Sequence, residues 1–260
     1  MPPQNESPIS QTSTMHAQKR DHSNLYIPGA IVIAGVIIGI CIIVAVAPHA
    51  ASQAVPAGGT QPVVAVDVKK VKTAGEPYVG NANAPVTLAF WSDYQCPFCK
   101  AFEVGGVSGI PTPAAMPTIL STYVNTGKVK IVFKDFPFLG NDSITAAEYG
   151  RSIWNLYPTQ YLAWRTAMYV AQDAEGDVGF GNAATIDQLI ASKFPQMDDA
   201  KIKADVAKNK AAYDAAAQAD MQEGESYGIQ GTPGFITGTT LIDGDQPLSA
   251  FTAAIDPQLK

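Results

Sequence analysis

The sequence predicts one α/β domain with an inserted helical block, preceded by a single transmembrane helix. Three observations predict it. Residues 25–47, LYIPGAIVIAGVIIGICIIVAVA, carry no charged side chain. Beyond them, apolar or β-branched runs alternate with helical patterns, as in a mixed α/β layer. Between the third and fourth such runs, residues 142–223 have helical spacing and no convincing strand signal.

Residues 1–24 are rich in Pro, Ser, Thr and Gln and lack apolar periodicity, the composition of a disordered tail. As a helix, Gly29 to Ala47 would span about 28 Å at roughly 1.5 Å per residue, close to the hydrocarbon thickness of a bilayer. Gly35 and Gly39 are a small-residue pair that supports helix pairing only weakly. Lys19 and Arg20 precede the segment and the next basic residue is Lys69. That asymmetry places the tail in the cytoplasm and the remaining chain outside. A cleaved signal peptide is the alternative. Ala45-Val46-Ala47 fits its small-residue pattern, but Pro48 follows directly and the apolar run is longer than a usual signal core. A signal anchor is therefore favoured. Cys41, inside the run, reads as a buried thiol rather than a lipid acceptor, because Ile40 stands where a small residue is expected. Residues 48–62 are Ala/Pro/Gly-rich and uncharged, a flexible tether to a domain at 63–260.

Composition removes several functions. The net charge is −6 and no basic cluster occurs, so the counterion displacement that nucleic-acid binding needs has no source. All three histidines, His16, His22 and His49, precede residue 50. The domain thus has no imidazole for Ser-His-Asp or Cys-His catalysis, nor for metal ligation.

Within the domain, VVAVDVK (63–69) and VTLAFW (86–91) fit strands, the second buried on both faces. GEPYVGNANAP between them is turn chemistry. KVKIVFKDF (128–136) is a further strand. SITAAEYGRSIWNLY and TQYLAWRTAMYVAQ place aromatic and aliphatic residues at helical spacing, so Tyr157, Tyr161 and Trp164 read as core of the inserted block. TIDQLIASKF and DDAKIKADVAKNKAAYDAAAQADMQE begin on capping or acidic residues. Two short strands at 234–237 and 239–242 precede a helix that opens at Pro247.

The chemistry-bearing stretch is YQCPFCKAFE, with Cys96 and Cys99. They follow a strand and a short polar turn, and cysteines at i and i+3 share one face of a helical turn. Cys96 at the helix start meets unpaired N–H groups and the positive end of the dipole, which favour its thiolate. Lowering a thiol pKa from about 8.5 to about 7 raises the thiolate fraction at neutral pH from roughly 3% to roughly 50%. Pro97 suits the first turn because it has no N–H to leave unpaired. Cys99, one turn further in, would be the resolving thiol. A structural zinc site needs four ligands that the domain lacks. A structural disulfide closing two residues constrains little of the unfolded chain. Redox use is favoured.

GTPGF (231–235) belongs with the pair. A cis peptide at Thr232–Pro233 would leave backbone groups free to face a bound peptide; an ordinary X-Pro loop is the plainer alternative. Asp93, Lys100 and Glu103 flank the cysteines. Charges around a helix start are usually solvated, and proton transfer or thiolate tuning is the sharper alternative. Phe90 and Trp91 read as core packing before site lining.

VGNANAPVTLAFWSDYQCPFCKAFE, KVKIVFKDFPF and YGIQGTPGFITG with LIDGDQPLSAF closely resemble the DsbA-like thiol-disulfide oxidoreductases. The likeness runs from about residue 76 to 256. It implies a thioredoxin-like fold with a helical insertion and no cofactor or metal. It also implies Cys96 as the attacking cysteine, Cys99 as the resolving one, Pro233 as a cis-proline and Thr232 as its neighbour. The family acts outside the cytoplasm. The expected substrates are thiols of exported proteins, with a membrane or extracytoplasmic redox partner. A reductase or isomerase of the same fold, a membrane-tethered binding protein without catalysis and a Cu(I)-delivery module are the alternatives.

Two features depart from the family. EVGGVSGIPTPAAM (103–116) is too rich in Gly and Pro for a continuous helix, so the helix should stop near Val104 and a new one begin around Pro113. The dipeptide between the cysteines is Pro-Phe rather than Pro-His. Phe98 supplies neither charge nor hydrogen bond to a thiolate, so the direction of electron flow stays open.

Overall fold

The structure, a computed structural model, describes residues 65–173 and 179–260. The tail, the expected transmembrane segment with Cys41, the tether and the three histidines lie outside the described residues. No helix among the described residues is long and apolar enough to cross a membrane.

Five strands make one sheet. β1 (Tyr78–Val79) pairs antiparallel with β3 (Val129–Asp135), and β3 pairs parallel with the central β2 (Val86–Ser92). On the other side β2 pairs antiparallel with β4 (Gly234–Thr237), which forms a hairpin with β5 (Thr240–Asp243). The order is β1-β3-β2-β4-β5. The apolar run of β2 is what a strand covered on both faces requires, and Leu88, Ala89, Phe90 and Trp91 have no solvent exposure.

Helices cover both faces. The chain after β2 enters α1 (Pro97–Glu103), then α2 (Met116–Ile119), whose last turns continue as a π-type segment to Val124. The inserted block is α3 (Asn141–Leu156), α4 (Tyr161–Ala171), α5 (Ala183–Lys193) and α6 (Asp199–Ser226). The last helix is α7 (Leu248–Ile255). On one face Phe90, Phe102, Phe235 and Phe251 form an aromatic cluster, with Phe90 and Phe235 stacked at 4.5 Å between centroids. Tyr161 and Trp164 join the same core, and Tyr157 is partly buried against it.

On the other face α6 lies close to the sheet because residue 224 is glycine. A Cβ there would stand 2.9 Å from Trp91 Nε1, the indole nitrogen that donates to the Asp220 carbonyl at 2.8 Å. Beside Trp91 a set of buried charges ties β3 to the helices. Lys134 pairs with Asp220 and Glu76, and Arg151 bridges Asp135, Asp220 and Glu76. Each cation faces carboxylates, which is how buried charge is tolerated.

The structure corrects four expectations. Residues 65–67 of the expected strand at 63–69 pair with no strand, and Val68–Lys70 is a 3-10 turn. Asp67 accepts from Lys69 N at 3.0 Å and so caps that turn, while Val66, Val68 and Val71 still bury against the sheet. The turn-rich stretch before β2 contains β1, since Pro77 accepts from Phe133 N at 2.8 Å and draws Tyr78 alongside β3. α1 ends at Glu103 as expected, but the next helix starts at Met116, not near Pro113. Pro247 is the N-cap of α7 instead of lying in its first turn.

Candidate active site

Cys96 is the N-cap of α1, with extended backbone, and Pro97 occupies the first turn. The turn before it is held locally: Cys96 N donates to the Asp93 carbonyl at 3.2 Å, and Lys100 N donates to the Cys96 carbonyl at 3.1 Å. Cys99 lies one turn in, fully buried, while Cys96 is 3% exposed. Both are free thiols.

The expected loop at 231–235 meets them. The Thr232–Pro233 peptide is cis, and Cys96 Sγ donates to the Thr232 carbonyl at 3.2 Å. Gly244 N donates to the Pro233 carbonyl at 2.8 Å, so the far end of the β4–β5 hairpin holds the loop in place. All four sequence-predicted site residues are therefore brought together.

The two thiols are electrostatically unequal. Cys96 is lowered from the ordinary thiol range, chiefly by a hydrogen bond from the Cys99 thiol. Burial opposes this, and the Thr232 hydroxyl and the backbone N–H groups of Cys99 and Phe98 reinforce it. The buried Thr232 hydroxyl has no hydrogen-bond partner among the described residues. It is the donor available once Cys96 loses the proton it now gives to the Thr232 carbonyl. Cys99 is pushed well up, first by burial and then by Cys96 itself. One thiol is thus poised to ionise and its neighbour to keep its proton.

Flanking charges differ from the solvated picture their positions suggested. Asp93 is buried and accepts from Gln95 N at 2.8 Å, Phe138 N at 2.9 Å and Leu139 N at 3.1 Å. Burial pushes its carboxyl up despite those donors. Glu103 is buried as well, paired with Arg165 of α4. Lys100 Nζ reaches the Gln172 carbonyl at 2.7 Å. Phe90 and Trp91 are core, as expected. By anchoring 138–139, Asp93 sets the half-exposed Phe138 in a loop beside the cysteine turn. Phe98, also half exposed, supplies apolar surface on the turn itself.

Sequence reasoning missed Arg165 and Gln172. The signal for Arg165 was the one charge in YLAWRTAMYVA, an otherwise uncharged helix. Gln172, just past the end of α4, carried no signal. Its carboxamide donates to the Tyr94 carbonyl at 2.8 Å and the Cys96 carbonyl at 3.0 Å. No group of three or more metal-ligating side chains occurs among the described residues. A cavity of about 780 Å³ between α3 and α6 does not include the thiols among its walls.

Comparison with known proteins agrees with this architecture. The chain is 23% identical over 182 residues to the probable disulfide bond formation protein D of Bacillus anthracis, covering 70% of this chain and 77% of that protein. It is 25% identical over 190 residues to disulfide bond formation protein D of Bacillus subtilis, covering 72% and 78%. Among solved structures, oxidised BdbD from Bacillus subtilis superposes with a TM-score of 0.62 at 22% identity, over 76% of this chain and 98% of that one. The thiol-disulfide exchange protein alpha-DsbA2 from Wolbachia pipientis gives 0.58 at 23% identity, over 71% and 87%. A family model described as thioredoxin matches residues 72–257, well over half of the chain. With the cysteine pair, the facing cis-proline and the sheet all inside that match, the chain belongs to the thioredoxin family.

Proposed function

We propose that this protein is an extracytoplasmic thiol-disulfide oxidoreductase that forms disulfides in exported proteins through Cys96 and Cys99. The observation that carries the reading is the asymmetry of the pair. Cys96 sits at the N-terminus of α1 with its thiol below the ordinary range, beside a buried Cys99 held above it. The relatives named for disulfide bond formation support the same direction.

In the oxidised enzyme a substrate thiolate attacks Cys96 Sγ. The Cys96–Cys99 bond breaks, its electron pair goes to Cys99, and Cys99 takes up a proton. A second substrate thiolate then attacks the substrate sulfur of the mixed disulfide and releases Cys96 as a thiolate. The substrate gains a disulfide, and its two electrons remain on the Cys96–Cys99 dithiol. Release is favourable because the leaving thiolate is the stabilised one. Thr232 and Pro233 face the incoming peptide, and Phe98 and Phe138 offer it apolar contact. A redox partner at the membrane or outside the cytoplasm takes the two electrons and restores the disulfide.

Residues 25–47 act in this reading as an uncleaved, single-pass anchor, with 1–24 in the cytoplasm and 48–62 as the tether. The uncharged length of the segment and the Lys19–Arg20 pair before it support that placement.

The test is to mix the oxidised protein with a reduced, unfolded protein that needs disulfides. Stoichiometric transfer of one disulfide per enzyme, lost in Cys96→Ser, is expected. A protein that transfers none, or only reduces an already oxidised substrate, contradicts the reading.

A further inference from the structure

Gln172 closes a ring of hydrogen bonds around the cysteine turn. Its side-chain nitrogen donates to the carbonyls of Tyr94 and Cys96, at 2.8 and 3.0 Å. Its backbone carbonyl accepts from Lys100 Nζ at 2.7 Å, and Lys100 N donates back to the Cys96 carbonyl at 3.1 Å. The side chain is buried, and both partners of the carboxamide are acceptors, which fixes the nitrogen toward the turn.

We propose that Gln172 is a positioning residue for the thiol pair, holding Cys96 Sγ over the free N–H groups of α1 by engaging the Tyr94 and Cys96 carbonyls of the turn that carries it. The inference rests on the reading of Cys96 as the reactive thiol.

The physical need for such a residue follows from the sequence between the cysteines. Phe98 offers the sulfur no donor beyond its backbone N–H. The carbonyls of Tyr94 and Cys96 belong to the turn whose sulfur must carry negative charge, and each is the negative end of a dipole. A carboxamide donating to both withdraws that polarity and locks the backbone angle that aims Sγ. Cys96 Sγ itself is held by the Thr232 carbonyl at 3.2 Å, so a loosened turn lets it swing away from the start of α1. The other charged or titratable groups around Cys96 are Cys99 and Lys100 on α1, Asp93 and Tyr94 in the preceding turn, and Tyr169 of α4, whose hydroxyl donates to the Asp93 carbonyl at 3.2 Å. Glu103 and Arg165 lie deeper as a closed pair. Lys100 reaches the Cys96 carbonyl only through its backbone N–H, and no side chain of these groups donates to either carbonyl that Gln172 holds.

The experiment follows the Cys96 thiolate by its ultraviolet absorbance and by alkylation across pH in reduced protein. Gln172→Met keeps the volume and removes both donors. We expect its Cys96 midpoint to rise by about one pH unit, a tenfold loss of thiolate well below the midpoint, with an unchanged far-ultraviolet spectrum. A folded Gln172→Met with the wild-type midpoint overturns the proposal. Should that variant not fold, wild-type protein decides. The side-chain amide resonances of Gln172 should shift with the Cys96 midpoint and stop doing so in Cys96→Ser. Resonances indifferent to Cys96 ionisation overturn the proposal. A wild-type Cys96 that titrates like an ordinary exposed thiol overturns both this role and the functional reading beneath it.

Discussion

Arg165 Nε donates to Glu103 Oε1 at 2.7 Å in a place where neither side chain meets solvent. Glu103 closes the helix that begins at Cys96, and Arg165 comes from the inserted block. Its guanidinium also reaches Ser92 Oγ at 2.9 Å, lies 4.3 Å over the Phe133 ring and 5.0 Å over Phe90, and so joins helix, sheet and insertion at one point.

Breaking this pair should cost far more than replacing it. Glu103→Gln leaves the buried cation without its carboxylate, and chemical denaturation should show a loss of about 3–5 kcal/mol. Glu103→Leu with Arg165→Met removes both charges and should recover most of that loss. A single variant within about 0.5 kcal/mol of wild type would show that the pair is solvated.

The thiols predict a pH signature in the reduced protein. Cys96 is lowered in the folded state, so the folded form releases its proton before the unfolded form does. Stability from Cys96 is therefore present above the ordinary thiol pKa of about 8.5 and is lost as pH falls through the lowered value. Cys99, raised in the folded state, acts oppositely and reduces stability above about 8.5. Relative to Cys96→Ser, the reduced protein should gain stability as pH rises toward 8.5. Mass spectrometry after brief alkylation near neutral pH should find the label on Cys96 and almost none on Cys99. Equal labelling would contradict the asymmetry.

Asp220 gives a second window. Burial, with Asp135 adding to it, pushes its carboxyl up to about 6 despite Lys134 and Arg151. The folded state then holds a proton that the unfolded state has lost, so stability from this group falls as pH rises from about 4 to about 6. The fall should be about 3 kcal/mol. Asp220→Asn lowers stability overall by unpairing Lys134 and Arg151, yet it should abolish that slope. Urea midpoints from pH 4 to 7 measure it, and an unchanged slope would assign the titration elsewhere.

The sequence made legible what is local and periodic. The apolar run of β2, the cysteine spacing, the helical insertion and the Thr232–Pro233 loop each carry their signal within a few residues. β1 did not, because two residues in a turn-rich stretch become a strand only when Pro77 and Tyr78 meet β3. The valines of 63–69 looked like a strand because alternating burial has one pattern whether or not a neighbour pairs with the backbone. Asp67, by capping a turn, decided otherwise. Gln172 and Arg165 were hidden for a different reason: their partners lie more than sixty residues away, and nothing in a helix sequence says which carbonyl or carboxylate the fold will bring to it.

The central claim is that the site stabilises the reduced pair and so makes the disulfide an oxidant. Its most direct test is the reduction potential of Cys96–Cys99 in glutathione buffers, with Cys96→Ser as the blank. A value at or above about −180 mV is expected, toward the strongly oxidising end near −120 mV. A value near −270 mV, the range of a thiol reductant, would contradict it.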